Sequence, residues 1–316
     1  MNNLTGTQYE QRDIGISFLD ILDLSLDSIW PVHEYGHALT LSESSWNDDE
    51  NTWDWWETVA TYISDEFHST STCRAAKASH GLSTEPWPSQ INPTFLHENT
   101  HLILVDGNRT TGNRRAAFPF ISYLNNNPDK YTGLGKQTLL NMLRKYKVGS
   151  NDTPFHVLAT ILAGTGTTVQ KAVGRYWAHM AYFDIGHPSA HAVFLSERPN
   201  IVYDSLHANG TVKSEKAPRY MGANIIPLKI KGSNITVALQ TSGQYTATLV
   251  VKSGEKLRYV DVVNGKGRVA VAKSDEVSLV VAYTPELIMY NSAAITAEMY
   301  ANALQYSVKF TGASVA

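Results

Sequence analysis

The sequence predicts an α+β protein: a mainly helical lobe over residues 1–206, a linker over 207–222 and an all-β sandwich over 223–316. Three observations carry that expectation. Apolar residues recur at helical spacing in the first two thirds of the chain, as in Phe118, Ile121, Tyr123 and Leu124 and again in Leu139, Leu140, Met142 and Leu143. After Arg219-Tyr220-Met221-Gly222 the texture changes to short runs rich in β-branched residues, among them 235–239, 245–251 and 277–283. Gly232, Gly243, Gly254 and the pair Gly265 and Gly267 punctuate those runs about every ten residues, the turn spacing of a sandwich.

Taken in order, residues 1–30 hold one apolar stretch, 14–19, with room for one or two strands. Pro31 is a good first-turn residue, and Ala38-Leu39 continue a helix expected over 32–41. A polar stretch over 42–51 contains Asn47-Asp48-Asp49-Glu50, which reads as a solvated turn, with a calcium loop as the alternative. A second helix follows over 53–67, with Trp56, Val59, Ala60, Ile63 and Phe67 as its core stripe. Residues 80–94 are loop. Pro128 and Gly133 divide 118–146 into two helices, and Gly164-Thr165-Gly166 separates further helices over 154–163 and 169–183. In the β-rich half, 293–303 reads as a short helix and 306–310 as a closing strand.

Composition narrows the function. Of the 316 residues 43% are hydrophobic, enough to bury a sizeable core, and no apolar run reaches the roughly 18 residues of a membrane span. The net charge of −3, with no run of Lys or Arg, argues against a nucleic-acid partner or an anionic membrane surface. The one cysteine, Cys73, allows neither an intrachain disulfide nor a Cys-based zinc site.

The chemistry concentrates in His33-Glu34-Tyr35-Gly36-His37. Residues four apart on a helix share a face, so His33 and His37 can turn imidazole nitrogens toward one Zn²⁺. Glu34 projects toward the same cleft and can take a proton from a metal-activated water. Catalytic zinc usually has three protein ligands and one open position, and Glu57, separated from His37 by nineteen residues, is the natural third. The pattern occurs twice, the second copy being His97-Glu98-Asn99-Thr100-His101. Asn99 and Thr100 are weak helix formers, and 102–107 reads as a strand entering a turn. In a strand, residues four apart lie roughly 13 Å apart. No metal site is expected there.

The spacing from His33 through Glu57 resembles the thermolysin-like metallopeptidases, the gluzincins. The resemblance implies that His33, His37 and Glu57 bind zinc and that Glu34 is the general base. It covers about residues 31–67. Where that clan has an Asn before the ligand Glu and an Asp four residues after it, this chain has Trp56 and Thr61, so a carboxylate supporting the site must come from elsewhere or be absent. More of the chain, through WPVHEYGHAL, WWETVATY and GRYWAHMAYFDIGHP, looks like a largely uncharacterised family of secreted fungal and bacterial proteins.

Gluzincins place a sheet before the active-site helix, so the short segment ahead of His33 implies a reduced scaffold or a fragment of a longer protein. They also need Tyr or His donors for the oxyanion, for which Tyr176, Tyr182, His187 and His191 are the candidates; His179 belongs to the same histidine cluster. Arg175 would pair with a substrate carboxylate or with a surface acid. The first residues lack the basic start and apolar stretch of a signal peptide, but Asn3, Asn108, Asn151, Asn209 and Asn234 head N-glycosylation sequons. The reading is a secreted protein whose signal has been removed. The expected function is zinc-dependent hydrolysis of peptide bonds in proteins or glycoproteins, with carbohydrate as a further partner of the C-terminal domain. The alternative is a glycan- or surface-binding protein that keeps the fold with little or no catalysis.

Overall fold

The computed structural model describes residues 29–48, 51–107, 113–150, 152–291 and 295–316. It is α+β, a helical region followed by antiparallel sheets. Helices α1 (Ile29–Ser42) and α2 (Trp53–Ser69) form the first pair. They cross at Gly36, where an added Cβ would stand 2.9 Å from the Ala60 Cα and 3.2 Å from its carbonyl oxygen. Glycine inside a helix costs about 1 kcal/mol relative to alanine; here its missing side chain permits the contact between backbones.

The expected stripe on α2 differs from the buried one. Trp55, Thr58, Val59 and Ala60 are buried together with Asp54, Thr61, Ser64, Asp65 and His68, while Trp56, Ile63 and Phe67 are half-buried. The helix packs against α1, α5 (Asn113–Ala116) and α6 (Phe118–Asn126), so it is covered on more than one side and small or polar residues line its contacts. At its C-terminal end the buried Asp65 carboxylate accepts from the Gln90 amide at 2.6 Å and Ser89 Oγ at 3.0 Å, and lies 3.1 Å from His187 Nε2. Four acceptor sites make such a carboxylate a natural tie for neighbouring loops.

Short helices α3 (Arg74–Ser79) and α4 (Pro93–Asn99) follow α2. The second histidine motif therefore does not lie on a strand. Asn92 caps α4 by accepting from the Phe95 amide at 2.9 Å, and Pro93 opens its first turn. His97 sits in the last turn of α4 and His101 in the turn beyond. Residues 102–107 are loop, tied to the later chain by Leu104 N donating to Tyr220 O at 3.2 Å.

After α6, Asn127 takes the left-handed conformation with φ 47° as a C-cap. Helices α7 (Thr138–Lys145), α8 (Pro154–Leu162) and α9 (Val169–Met180) match the expected divisions, and Gly164 and Gly166, with φ 75° and 79°, make the break before α9. Helix α10 (Ala190–Glu197) ends the helical region. In the expected linker, Ala217, Tyr220 and Met221 are buried, and Arg219 N donates to His101 O at 2.8 Å.

Strands β1 (Ala223–Ile230), β2 (Asn234–Gln240), β3 (Tyr245–Ser253), β4 (Lys256–Asp261), β5 (Lys266–Ala270) and β6 (Glu276–Tyr283) follow, then α11 (Ala297–Ala301), β7 (Ser307–Thr311) and β8 (Ala313–Val315). They form a five-stranded sheet, β4-β3-β6-β1-β8, and a three-stranded sheet, β5-β2-β7. Every pairing is antiparallel, with Ile225 opposite Val280 and Leu249 opposite Leu279. Ile226, Leu249, Val251 and Leu279 share one core with Ile235, Val237 and Leu239 of the smaller sheet. The alternate residues Ile225, Val250 and Val280 instead join the helical core with Val173, Tyr176 and Trp177 of α9. Strands covered on both faces read as continuous apolar runs, as β3 and β6 do. Helix α9 reaches the large sheet closely because Gly174 lies against Thr246, where a Cβ would clash. Among the described residues no helix is long and apolar enough to cross a membrane.

Candidate metal centre

The α1–α2 crossing brings together His33, His37 and Glu57, each offering one ligand atom within 4.8 Å of the other two. The imidazole rings of His33 and His37 lie edge to face with centroids 4.8 Å apart. Glu57 Oε2 is 3.2 Å from His33 Nε2. Two ligands at 2.0–2.1 Å from a tetrahedral zinc are separated by about 3.3 Å, so this pair already stands at coordination distance. The longest edge of the triangle closes only if a side chain turns inward.

Thr61 completes the support of His33. Its hydroxyl donates to the Glu57 carbonyl at 2.8 Å, which commits its hydrogen, and stands 3.4 Å from His33 Nδ1. It can therefore only accept from that nitrogen, which assigns the ring hydrogen to Nδ1 and leaves a lone pair on Nε2. Nε2 is buried and makes no aligned hydrogen bond. With the hydrogen on Nδ1, a buried lone pair faces a carboxylate oxygen, an arrangement that a shared cation satisfies, so the residues fit a metal ion. Thr61 stands where the gluzincin resemblance has an Asp.

The electrostatics prepare the same donor set. Burial first, joined by the charges of Arg115 and Arg114, lowers His37 to about 4 against the pull of Glu57, so its imidazole is neutral near pH 7. Burial alone would raise Glu57; the His33 and Arg115 contacts and the guanidinium charge outweigh it and hold the carboxyl well below its usual range. Metal ligands must be neutral imidazole and ionised carboxylate. The shifts of His37 and Glu57 run in that direction without the ion.

Glu34 lies on α1, half-buried, and is not one of the three converging groups. At 100° per residue it projects about 60° around the helix from His37. Sequence reasoning missed Arg115, whose Nε donates to Glu57 Oε2 at 2.8 Å. Thr58 donates to the Arg114 carbonyl and thereby holds α5 against α2. The Arg115 guanidinium lies 5.6 Å from the Trp30 ring centroid and that of Arg114 5.3 Å from Trp53. An adjacent arginine pair was the only signal, and no spacing rule links it to a glutamate 58 residues earlier.

The candidates for the oxyanion are engaged elsewhere. Tyr176 is fully buried among Phe120, Tyr123 and Trp177. His187 pairs with Asp65, and the Tyr182 backbone carbonyl is 2.6 Å from His191 Nδ1. The Tyr182 ring is buried near the Arg198 guanidinium. Arg175 pairs with Asp261 at 3.0 Å, the surface-acid alternative. His179 belongs to a separate polar cluster with Asp129, Asp184 and Tyr259. His97 is packed among Phe183, Phe194 and Tyr203, and burial, then Arg198, lowers it to about 3. In the acidic turn, Asp48 accepts from Tyr146 Oη at 2.9 Å and the Gly149 amide at 3.2 Å; residues 49–50 lie outside the described residues.

Comparison with protein-family models, with curated proteins and with solved structures finds no match.

Proposed function

We propose that the chain is a zinc-dependent hydrolase of peptide bonds in proteins or glycoproteins, of the gluzincin type, with His33, His37 and Glu57 as ligands and Glu34 as general base. The convergence of three ligating atoms within 4.8 Å of one another, around a buried imidazole nitrogen that faces the Glu57 carboxylate without an aligned hydrogen bond, carries this reading. When bound, the ion would act as a Lewis acid on the scissile carbonyl and lower the pKa of a water toward about 7.

The protein's part is positional. Glu34, beside His33 on α1, takes the proton of the attacking water and returns it to the leaving amine. Thr61 keeps the His33 ring hydrogen on Nδ1, and Arg115 keeps Glu57 ionised and oriented. The same reading includes secretion, which the exposed sequon residues Asn209 and Asn234 support; Asn3, Asn108 and Asn151 lie outside the described residues.

Zinc uptake by the purified chain, compared with His33→Ala and Glu57→Ala, tests the centre. One ion per wild-type chain, lost in both variants, together with hydrolysis of a broad peptide library, is the expected result. Equal zinc binding in all three proteins would refute it.

A further inference from the structure

Among the described residues, Arg115 is anchored at one end only. Its Nε is fixed on Glu57 Oε2 at 2.8 Å, its side chain is 47% exposed, and its terminal nitrogens make no hydrogen bond with the described residues. A guanidinium carries five N–H donors in a planar fork, so the bond to Glu57 leaves the paired terminal donors available. Stacking near Trp30 restricts where the plane can turn. A long flexible side chain is thereby pre-oriented at the rim of the three converging ligands.

The charge balance points the same way. A divalent ion with the two guanidinium groups outweighs Glu57 and Glu34, so the loaded centre would be net positive. Among the described residues, Glu43 on the loop after α1 is paired with Arg144 at 3.0 Å and Asp65 on α2 with His187, so neither is free to neutralise it. A net positive, partly buried centre favours an anionic substrate over a neutral one of the same shape.

We propose that the open fork of Arg115 receives a carboxylate of the substrate, so that the centre selects peptides carrying a carboxylate next to the bond presented to the metal. The inference rests on the metal-centre reading. Two sources of that group exist, a free C-terminus and an acidic side chain. Planar carboxylate matches the guanidinium fork through two parallel N–H···O bonds, with Nε still on Glu57.

The test uses the zinc-loaded full chain, with zinc content measured before every titration. N-acetylalanine, N-acetylaspartic acid α-amide and N-acetylalaninamide are titrated calorimetrically into wild type and Arg115→Gln. Wild type is expected to bind at least one carboxylate probe and not the neutral amide, and zinc-loaded Arg115→Gln to bind it on the order of tenfold to a hundredfold more weakly, the scale of a lost charge-assisted hydrogen bond. The stronger of the two carboxylate probes identifies the source, terminal or side-chain.

Equal affinity in wild type and variant, or equal binding of carboxylate and amide, overturns the proposal and leaves the metal centre standing. No zinc in wild type overturns the metal centre and this inference with it. If Arg115→Gln alone loses zinc, Arg115→Lys keeps a cation beside Glu57 without the fork; undiminished carboxylate binding by that variant overturns the proposal.

Discussion

Gly36 and Ala60 bring the backbones of α1 and α2 into contact, and the three candidate ligands flank that crossing: His33 and His37 one turn apart around Gly36, Glu57 one turn before Ala60. The two small residues set the interhelical distance, and the distance sets whether imidazole and carboxylate can share an ion. A Cβ at position 36 meets backbone atoms of Ala60, which cannot rotate away. Gly36→Ala should thus cost stability despite its better helix propensity, by about 1–3 kcal/mol, as overpacking does. Zinc affinity should fall with it. A melting temperature at or above wild type with unchanged zinc affinity would show that the crossing tolerates the methyl.

Glu34 can be separated from the ligands by what each variant retains. Glu34→Gln removes no ligand, so zinc content should stay at the wild-type level while peptide turnover falls by about two to four orders of magnitude. The melting temperature should stay within a few degrees of wild type, because Glu34 is only half-buried and Gln keeps its size. His33→Ala and Glu57→Ala should lose zinc and activity together. Undiminished hydrolysis by zinc-loaded Glu34→Gln would remove Glu34 from the mechanism.

Much of this arrangement was legible in the sequence because it is local. Pro31 at the start of α1, the four-residue spacing of His33 and His37, and the glycine-punctuated strands after residue 222 all act over a few residues, where periodicity is informative. What the sequence concealed is set by contacts between distant segments. Nothing in the string links Gly36 to Ala60 or Arg115 to Glu57. The polar burial of α2 arises because several elements cover it, and a binary apolar stripe describes a helix covered on one face. The segment around His97 and His101, expected in strand and loop because Asn99 and Thr100 are weak helix formers, is helical through Asn99 because Asn92 and Pro93 supply a start signal.

Thr61 offers a test of tautomer control. Thr61→Val keeps the shape of the side chain and removes the acceptor facing His33 Nδ1. Loss of such a supporting contact typically weakens metal affinity about 10–100-fold. Thr61→Ser, which keeps the hydroxyl, should stay near wild type. Equal zinc affinity in all three proteins would leave the His33 ring orientation to packing alone.

A polar cluster around His179 joins the helical region to the large sheet. His179 on α9 places Nε2 3.0 Å from Asp129 Oδ2 and Nδ1 2.5 Å from the Asp184 carbonyl oxygen. Both partners are acceptors, so both nitrogens must carry hydrogen, and the ring is an imidazolium. Tyr259 Oη on β4, 2.8 Å from Nδ1, can satisfy Asp184 Oδ2 at 3.2 Å, while Tyr123 Oη donates to Asp129 at 2.7 Å. Arg175 adds a cation facing Asp129, Asp261 and the Tyr259 ring. Burial opposes charge on His179, but the Asp129 and Asp184 contacts outweigh it and raise the group above its usual value. A raised imidazole contributes stability that is complete below its unfolded pKa of about 6.5 and disappears as pH rises through the folded value. Asp129 is lowered despite its burial, chiefly by His179, so its contribution is complete above about 3.9 and disappears on acidification. The pair should therefore stabilise most between about pH 4 and 6.5. Melting temperatures of wild type and His179→Gln measured from pH 4 to 9 should differ most in that interval and converge toward alkaline pH. A constant gap across the range would mean that His179 acts through packing and not through its charge.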